Sequence, residues 1–166
     1  MGCQDVGLTP LHSLKVTTHS GVGGTSTWLL LSVVAKRFEP GVPRILVVDD
    51  DPLIRSTVAE LLGDEGYTVF QAGDGAEALR AFQQFVPDAI VLDLMMPILD
   101  GWQFVDRLRR VPDWREVPIV VMSATHGLHE SAERLHAMGV RAVLAKPFDV
   151  DALIAIVHRY APLAAA

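Results

Sequence analysis

The sequence predicts a doubly wound α/β domain over residues 44–166, five strand–helix repeats on a parallel sheet of order 2-1-3-4-5. Three observations predict it. Apolar runs rich in Val and Ile alternate five times with amphipathic stretches of helical length. The runs are nearly continuously apolar, as strands covered by helices on both faces must be. The second run alone mixes polar and apolar residues, as an edge strand would, and the 2-1-3-4-5 order puts strand two at an edge.

The expected strands are Ile45–Val48, Tyr67–Gln71, Ala89–Leu92, Ile119–Met122 and Ala142–Ala145. Between and after them, helices are expected over Pro52–Gly63, Gly75–Phe85, Gly101–Arg110, Leu128–Met138 and Val150–Tyr160. In the last, Leu153, Ile156, Val157 and Tyr160 recur at spacings of three and four, the period of a buried helix face. Trp102 and Phe104 are expected to pack the third helix.

Residues 1–43 differ in kind. They hold six of the 13 glycines, with Ser and Thr between them and no sustained hydrophobic period, and are expected to form a flexible extension. Trp28–Phe38 has the make-up of a short helix, which Glu39-Pro40-Gly41-Val42-Pro43 then breaks. Charge divides at the same boundary. The extension carries three basic and two acidic residues, a net of +1; the remaining 123 residues carry 11 and 18, a net of −7. So negative a domain repels phosphate backbones, which argues against nucleic-acid binding. Cys3 is the single cysteine, so no intrachain disulfide forms. The apolar run Trp28–Ala35 is far short of the roughly 20 residues a spanning helix needs. Lys36 and Arg37 follow that run, the reverse of a secretory signal, and Val6 sits where myristoylation wants Ser or Thr. The expectation is a cytoplasmic protein without a membrane partner.

The candidate site follows from topology. Strand one runs into Asp49-Asp50-Asp51 and strand three into Asp93, neighbours at the topological switch point where ligands of such sheets bind. Carboxylates packed together raise one another's pKa unless a cation neutralises them, and Mg²⁺ suits oxygen donors of this kind. Asp51, just before Pro52, reads as a helix cap, which leaves Asp49 and Asp50 for a metal. Strand four brings Ser123-Ala124 to the same rim, and strand five brings Lys146-Pro147-Phe148. Lys146 is the only lysine in residues 44–166, beside ten arginines, so a compact ammonium is retained where Arg is otherwise preferred.

Ile45–Pro52, Asp93-Leu94-Met95-Met96-Pro97, Asp100-Gly101, Ser123-Ala124 and Lys146-Pro147-Phe148 together resemble the receiver domains of bacterial response regulators. The resemblance spans about Arg44 to Ala161 and implies the flavodoxin-like fold of that family. It also implies that Asp93 is the phosphoacceptor, taking a phosphoryl group from the phosphohistidine of a sensor histidine kinase or histidine phosphotransfer protein. Asp49, Asp50, Asp93 and the backbone carbonyl of Met95 would hold Mg²⁺. Lys146 would neutralise the phosphoryl oxygens, and Ser123 would reorient towards them. A cis Lys146–Pro147 bond is a further expectation of the resemblance. The phosphoacceptor would promote its own phosphotransfer and dephosphorylation without being a turnover enzyme.

One departure concerns output. Val143 stands three residues before the lysine, where the family usually carries an aromatic ring that turns inward on activation. After Tyr160 only six residues remain, which leads to the expectation of a stand-alone, chemotaxis-type receiver that acts on a downstream protein through its helix 4–strand 5–helix 5 face. The rival reading, an aspartate-dependent phosphatase, wants Asp-x-Asp at the nucleophile; here that second position is Met95. A receiver-like scaffold that had lost its chemistry would lack an acid or the lysine, and none is lost. His126, His129 and His136 read as surface residues.

Overall fold

The computed structural model describes residues 41–111, 114, 117–124 and 128–164. The expected flexible extension up to residue 40, its Trp28–Phe38 helix and His126 lie outside the described residues. Among the described residues ten elements alternate: β1 Arg44–Val48, α1 Pro52–Asp64, β2 Thr68–Ala72, α2 Gly75–Gln84, β3 Ala89–Asp93, α3 Gly101–Leu108, β4 Ile119–Ala124, α4 Leu128–Ala137, β5 Ala142–Lys146 and α5 Val150–Tyr160. The five strands pair in parallel in the order β2-β1-β3-β4-β5.

Aspartate sets four of the helix starts. Asp51 accepts hydrogen bonds from Leu53 N (2.8 Å) and Ile54 N (3.3 Å), with Pro52 at the first helical position where no donor is missed. Asp74, Asp100 and Asp149 cap α2, α3 and α5 through Glu77 N, Gln103 N and Ala152 N. Glu77 closes the α2 cap from the other side, its carboxylate accepting from Gly73 N at 2.7 Å, a variant of the capping box.

The alternating pleat sorts the strands' apolar residues into two cores. Leu46, Val48, Ile90, Leu92, Ile119 and Val121 face α2, α3 and α4, packing on Phe82, Phe104 and Leu135. Ile45, Val47, Ala89, Val91 and Met122 face α1 and α5, packing on Val58, Leu62, Leu153 and Val157. Phe104 is fully buried, as expected, and its truncation to Ala would cost roughly 3–5 kcal/mol. Trp102 is half-buried at the margin of the first core.

Element ends depart from expectation by one or two residues. β2 begins at Thr68, not Tyr67, because Tyr67 turns into the second core and its hydroxyl donates to the Ala161 carbonyl at 2.9 Å. α1 runs past Gly63 to Asp64, and the chain reverses at Gly66, whose φ of +103° suits a residue without a side chain. α2 stops at Gln84 because Phe85 is already extended, its ring against Phe70. β4 and β5 extend further than the apolar runs indicated, to Ala124 and Lys146.

Candidate functional site

The register carries the polar residues to one rim. Val48 pairs with Leu92, so Asp49 continues β1 beside Asp93, the last residue of β3. Asp93 pairs with Met122, and Ala124 pairs with Lys146, which brings Ser123 and the lysine to the same ends of β4 and β5. Asp49, Asp93 and Ser123 are the buried polar side chains among the described residues.

Lys146 ties the rim together. Its ammonium donates to Asp49 Oδ2 at 2.8 Å and lies 3.1 Å from Asp93 Oδ1. The other oxygen of Asp49 accepts from Asp51 N at 2.9 Å. Burial pushes the Asp93 carboxyl above its ordinary pKa, and Lys146 only partly opposes this through its charge and hydrogen bond; the Met95 N–H also bonds the carboxylate. For Lys146, burial disfavours the ammonium, but the bond to Asp49 and the charges of Asp93 and Asp49 more than offset it, and its pKa is raised. The resting rim is therefore two acids held by one cation.

The loops are fixed by packing. After β3, Leu94 and Leu99 are buried while Met95 and Ile98 face solvent. Ile98 has φ +69°, a rare conformation for a β-branched residue. Gly101 N closes this loop onto the Leu94 carbonyl at 3.0 Å, and a Cβ at Gly101 would collide with the Asp93 carbonyl. The glycine of Asp100-Gly101 thus lets α3 start directly against the phosphoacceptor candidate. The Lys146–Pro147 bond is cis, as expected.

One site residue escaped the sequence reading. Arg55, in the first turns of α1, donates from its Nη1 to the Asp49 carbonyl at 2.6 Å and so fixes the peptide that joins Asp49 to Asp50. A lone arginine in a helical stretch gives no signal of this, because the bond depends on how α1 lies over β1.

The residues present fit a divalent cation. Asp49, Asp50 and Asp93 each offer a carboxylate oxygen, and these three lie within 4.8 Å of one another. The donors are hard oxygens, Asp50 is solvent-facing while the other two are buried, and such a mixed open site leaves room for water and phosphate ligands. Ser123 is buried at the rim, and among the described residues its hydroxyl makes only a limiting 3.5 Å contact to the Ala124 carbonyl. His136 is exposed, its ring nitrogen 2.9 Å from the Val140 carbonyl, away from this rim.

Fold and site together define a receiver: a parallel sheet with an acid cluster at its switch point and a lysine between the acids. The family model for the response regulator receiver domain matches residues 45–158, and the chain belongs to that family. It is 44% identical over 112 residues to the response regulator MprA of Mycobacterium ulcerans, covering 68% of this chain and 47% of that one. It is 38% identical over 117 residues to the DNA-binding dual master transcriptional regulator RpaA of Synechocystis sp., covering 70% of this chain and 48% of that one. The chain thus spans about half the length of the curated relatives it matches. Among solved structures, the Vibrio cholerae chemotaxis protein CheY4 superposes with a TM-score of 0.67 at 34% identity, covering 72% of this chain and 98% of that one. The receiver domain of the Pseudomonas aeruginosa sensor histidine kinase PA1611, solved with a magnesium ion coordinated in its active-site cleft, gives 0.65 at 32% identity, covering 72% and 97%. The chain is therefore similar both to receivers within longer regulators and kinases and to a chemotaxis receiver, and the expectation of a stand-alone protein gains no support from its curated relatives. No helix among the described residues is long and apolar enough to cross a membrane.

Proposed function

We propose that residues 44–166 form a receiver that accepts a phosphoryl group on Asp93 and uses it to switch a protein-binding face, with residues 1–43 an extension outside the phosphorylation chemistry. The observation that carries the reading is the Lys146 ammonium, shared between Asp49 at 2.8 Å and Asp93 at 3.1 Å at the carboxyl end of the sheet. An ammonium already shared between two acids is placed to trade one of them for a phosphoryl oxygen.

In the proposed step an Asp93 carboxylate oxygen attacks the phosphorus of a phosphohistidine on a sensor histidine kinase or phosphotransfer protein. The P–N bond breaks, and the imidazole nitrogen leaves with the electron pair and takes a proton. Asp49, Asp50, Asp93 and the Met95 carbonyl are the groups that would hold Mg²⁺, which when bound supplies charge neutralisation on the transferring phosphoryl. Lys146 then pairs with a phosphoryl oxygen instead of Asp93, and the Ser123 hydroxyl donates to another, drawing the end of β4 with it. Hydrolysis of the aspartyl phosphate regenerates Asp93, and we read the protein as a phosphoacceptor in signalling rather than a turnover enzyme. A phosphatase reading is disfavoured by Met95, whose thioether cannot act as the second acid.

The partner face is α4, β5 and α5, in a cytoplasmic protein. The acidic receiver itself does not favour nucleic acid. Coverage of 98% of CheY4 and 97% of the PA1611 receiver, which is part of a sensor kinase, fits either a lone receiver or one within a longer protein. MprA and RpaA, matched over about half their length, favour an attached output segment. An antiserum against the receiver separates these: a native band near 18.1 kDa supports the first, and a clearly larger one supports the second.

Labelling with acetyl phosphate with and without Mg²⁺ tests the chemistry. Acid-labile, hydroxylamine-sensitive phosphate should form only with the metal and be absent from Asp93→Asn. Undiminished labelling of that variant would place the acceptor elsewhere.

A further inference from the structure

On a receiver of net charge −7, one groove is basic. Between α3 and α4 a groove of about 500 Å³ is lined by Trp102, Gln103, Asp106, Arg107, Arg109, Arg134 and Met138. Three of the ten arginines in residues 44–166 therefore converge on two helices. Asp106, the one carboxylate in the lining among the described residues, is already engaged by Arg110 at 3.0 Å. Among the described residues no ion pair engages Arg107, Arg109 or Arg134.

The groove is also partly ordered in advance. The Arg134 guanidinium lies over the Trp102 ring, 4.7 Å from its centroid, and Trp102 packs on the first core. Holding an arginine this way lowers the ordering cost of its next contact. Trp102 and Met138, both half-buried, supply an apolar floor between the charges.

We propose that the α3–α4 groove is a docking site for an acidic segment of a partner protein, one that sets carboxylates on the arginines and an apolar side chain against Trp102 and Met138. Charge complementarity selects this occupant. Residues 1–40 of the chain itself carry a net of +1 and are repelled. None of Asp49, Asp50, Asp93, Ser123 and Lys146 lines the groove, so the proposal stands independently of the phosphorylation reading.

The probe is a fluorescein-labelled peptide of glutamates around a central leucine, followed by anisotropy against the whole chain at low and moderate salt. Saturable binding is expected, weakened by added salt and by roughly tenfold or more in Arg107→Glu/Arg134→Glu, because charge at an interface is read by both pairing and screening. Arg80→Glu/Arg159→Glu changes the net charge equally at two exposed positions outside the groove and should bind within about twofold of the parent. Replacing the peptide's leucine with serine should weaken binding as well. Circular dichroism melts verify folding, and Arg107→Gln/Arg134→Gln takes over if the double reversal does not fold. Equal weakening in the Arg80/Arg159 variant, or no saturable binding by the parent, would overturn the proposal. So would sedimentation showing that the parent self-associates and that only the groove variant is monomeric, since the groove would then join copies of this chain.

Discussion

Lys146 donates to the fully buried Asp49 across 97 residues of sequence, at 2.8 Å, and the same ammonium reaches Asp93. Removing it strands two acids in a poorly solvated rim. Lys146→Met should destabilise the metal-free protein by roughly 3–5 kcal/mol, the usual consequence of leaving a buried charge uncompensated. Mg²⁺ should restore more stability to this variant than to the parent, because it replaces the missing positive charge. Chemical denaturation with and without Mg²⁺ measures both. Equal stability of variant and parent without metal would mean that the acids are hydrated or protonated at no cost.

The raised pKa of Asp93 has a consequence in each direction of pH. Burial is its main cause, and the folded protein holds this proton to higher pH than the unfolded chain does. The stability Asp93 contributes is thus fully present below the unfolded carboxyl pKa and is lost as pH rises through the folded one. In the proposed phosphotransfer, reactivity would run the other way, since only the carboxylate could attack phosphorus. Labelling should decline on acidification, starting above the ordinary carboxylate range, and Mg²⁺ should move that decline to lower pH. Carboxyl carbon NMR of Asp93 alongside labelling rates checks this; an acid limb unmoved by Mg²⁺ would separate the metal from Asp93.

The architecture, its order and the residues of the rim were legible in the sequence because they rest on periods and on strand ends. Continuous apolar runs such as Ala89–Leu92 specify burial on both faces, and the order then dictates which strand ends meet. Tyr67 was misplaced by one residue because its partner, the Ala161 carbonyl, lies 94 residues away and no local pattern announces it. Arg55 was missed for a related reason: its bond to the Asp49 carbonyl is set by helix packing. The basic α3–α4 groove was equally invisible, since Arg107 and Arg134 belong to helices whose approach the sequence does not specify.

Arg55 gives the third prediction. Its bond fixes the carbonyl between Asp49 and Asp50, and hydrogen bonds to charged groups are worth roughly 1.5–3 kcal/mol. Arg55→Ala should weaken Mg²⁺ binding several-fold in calorimetry, with Arg55→Lys recovering part of it. If Arg55→Ala lowers the melting temperature yet binds Mg²⁺ like the parent, the residue is structural only.

Tyr67 offers a test at alkaline pH. Burial, helped by the charge of Glu65, pushes its hydroxyl up to about 12 from an ordinary value of 10.0. The unfolded chain ionises first, so stability from this group is complete below pH 10 and drains away as pH rises to about 12. The loss should reach roughly 3 kcal/mol at 1.4 kcal/mol per pKa unit. Tyr67→Phe should be less stable at neutral pH, lacking the bond to Ala161, and should show a shallower alkaline decline. Parallel alkaline curves for the two proteins would count against Tyr67 as the source.

The last prediction concerns how phosphorylation leaves the site. A phosphoryl group shifts only an equilibrium between states that it binds differently. Ser123 can supply that difference: among the described residues its buried hydroxyl has no better partner than the Ala124 carbonyl at 3.5 Å, and a phosphoryl oxygen would be one. Moving Ser123 draws the end of β4 and, through the connection that follows, α4. Val143 sits partly buried against the first core on β5, and its two methyl groups offer no ring to exchange between inward and outward positions. The response should therefore be weaker and more local than an aromatic relay gives, concentrated between residues 123 and 138. Hydrogen exchange with and without beryllofluoride, in Mg²⁺, reads this directly. Changes confined to α1 or α2, with none over 123–138, would sink the idea. Val143→Tyr should label at the parent's rate while changing exchange across α4 and β5. Should labelling itself collapse, Val143 would be supporting the acid rim, and chemistry and output could not be separated at this position.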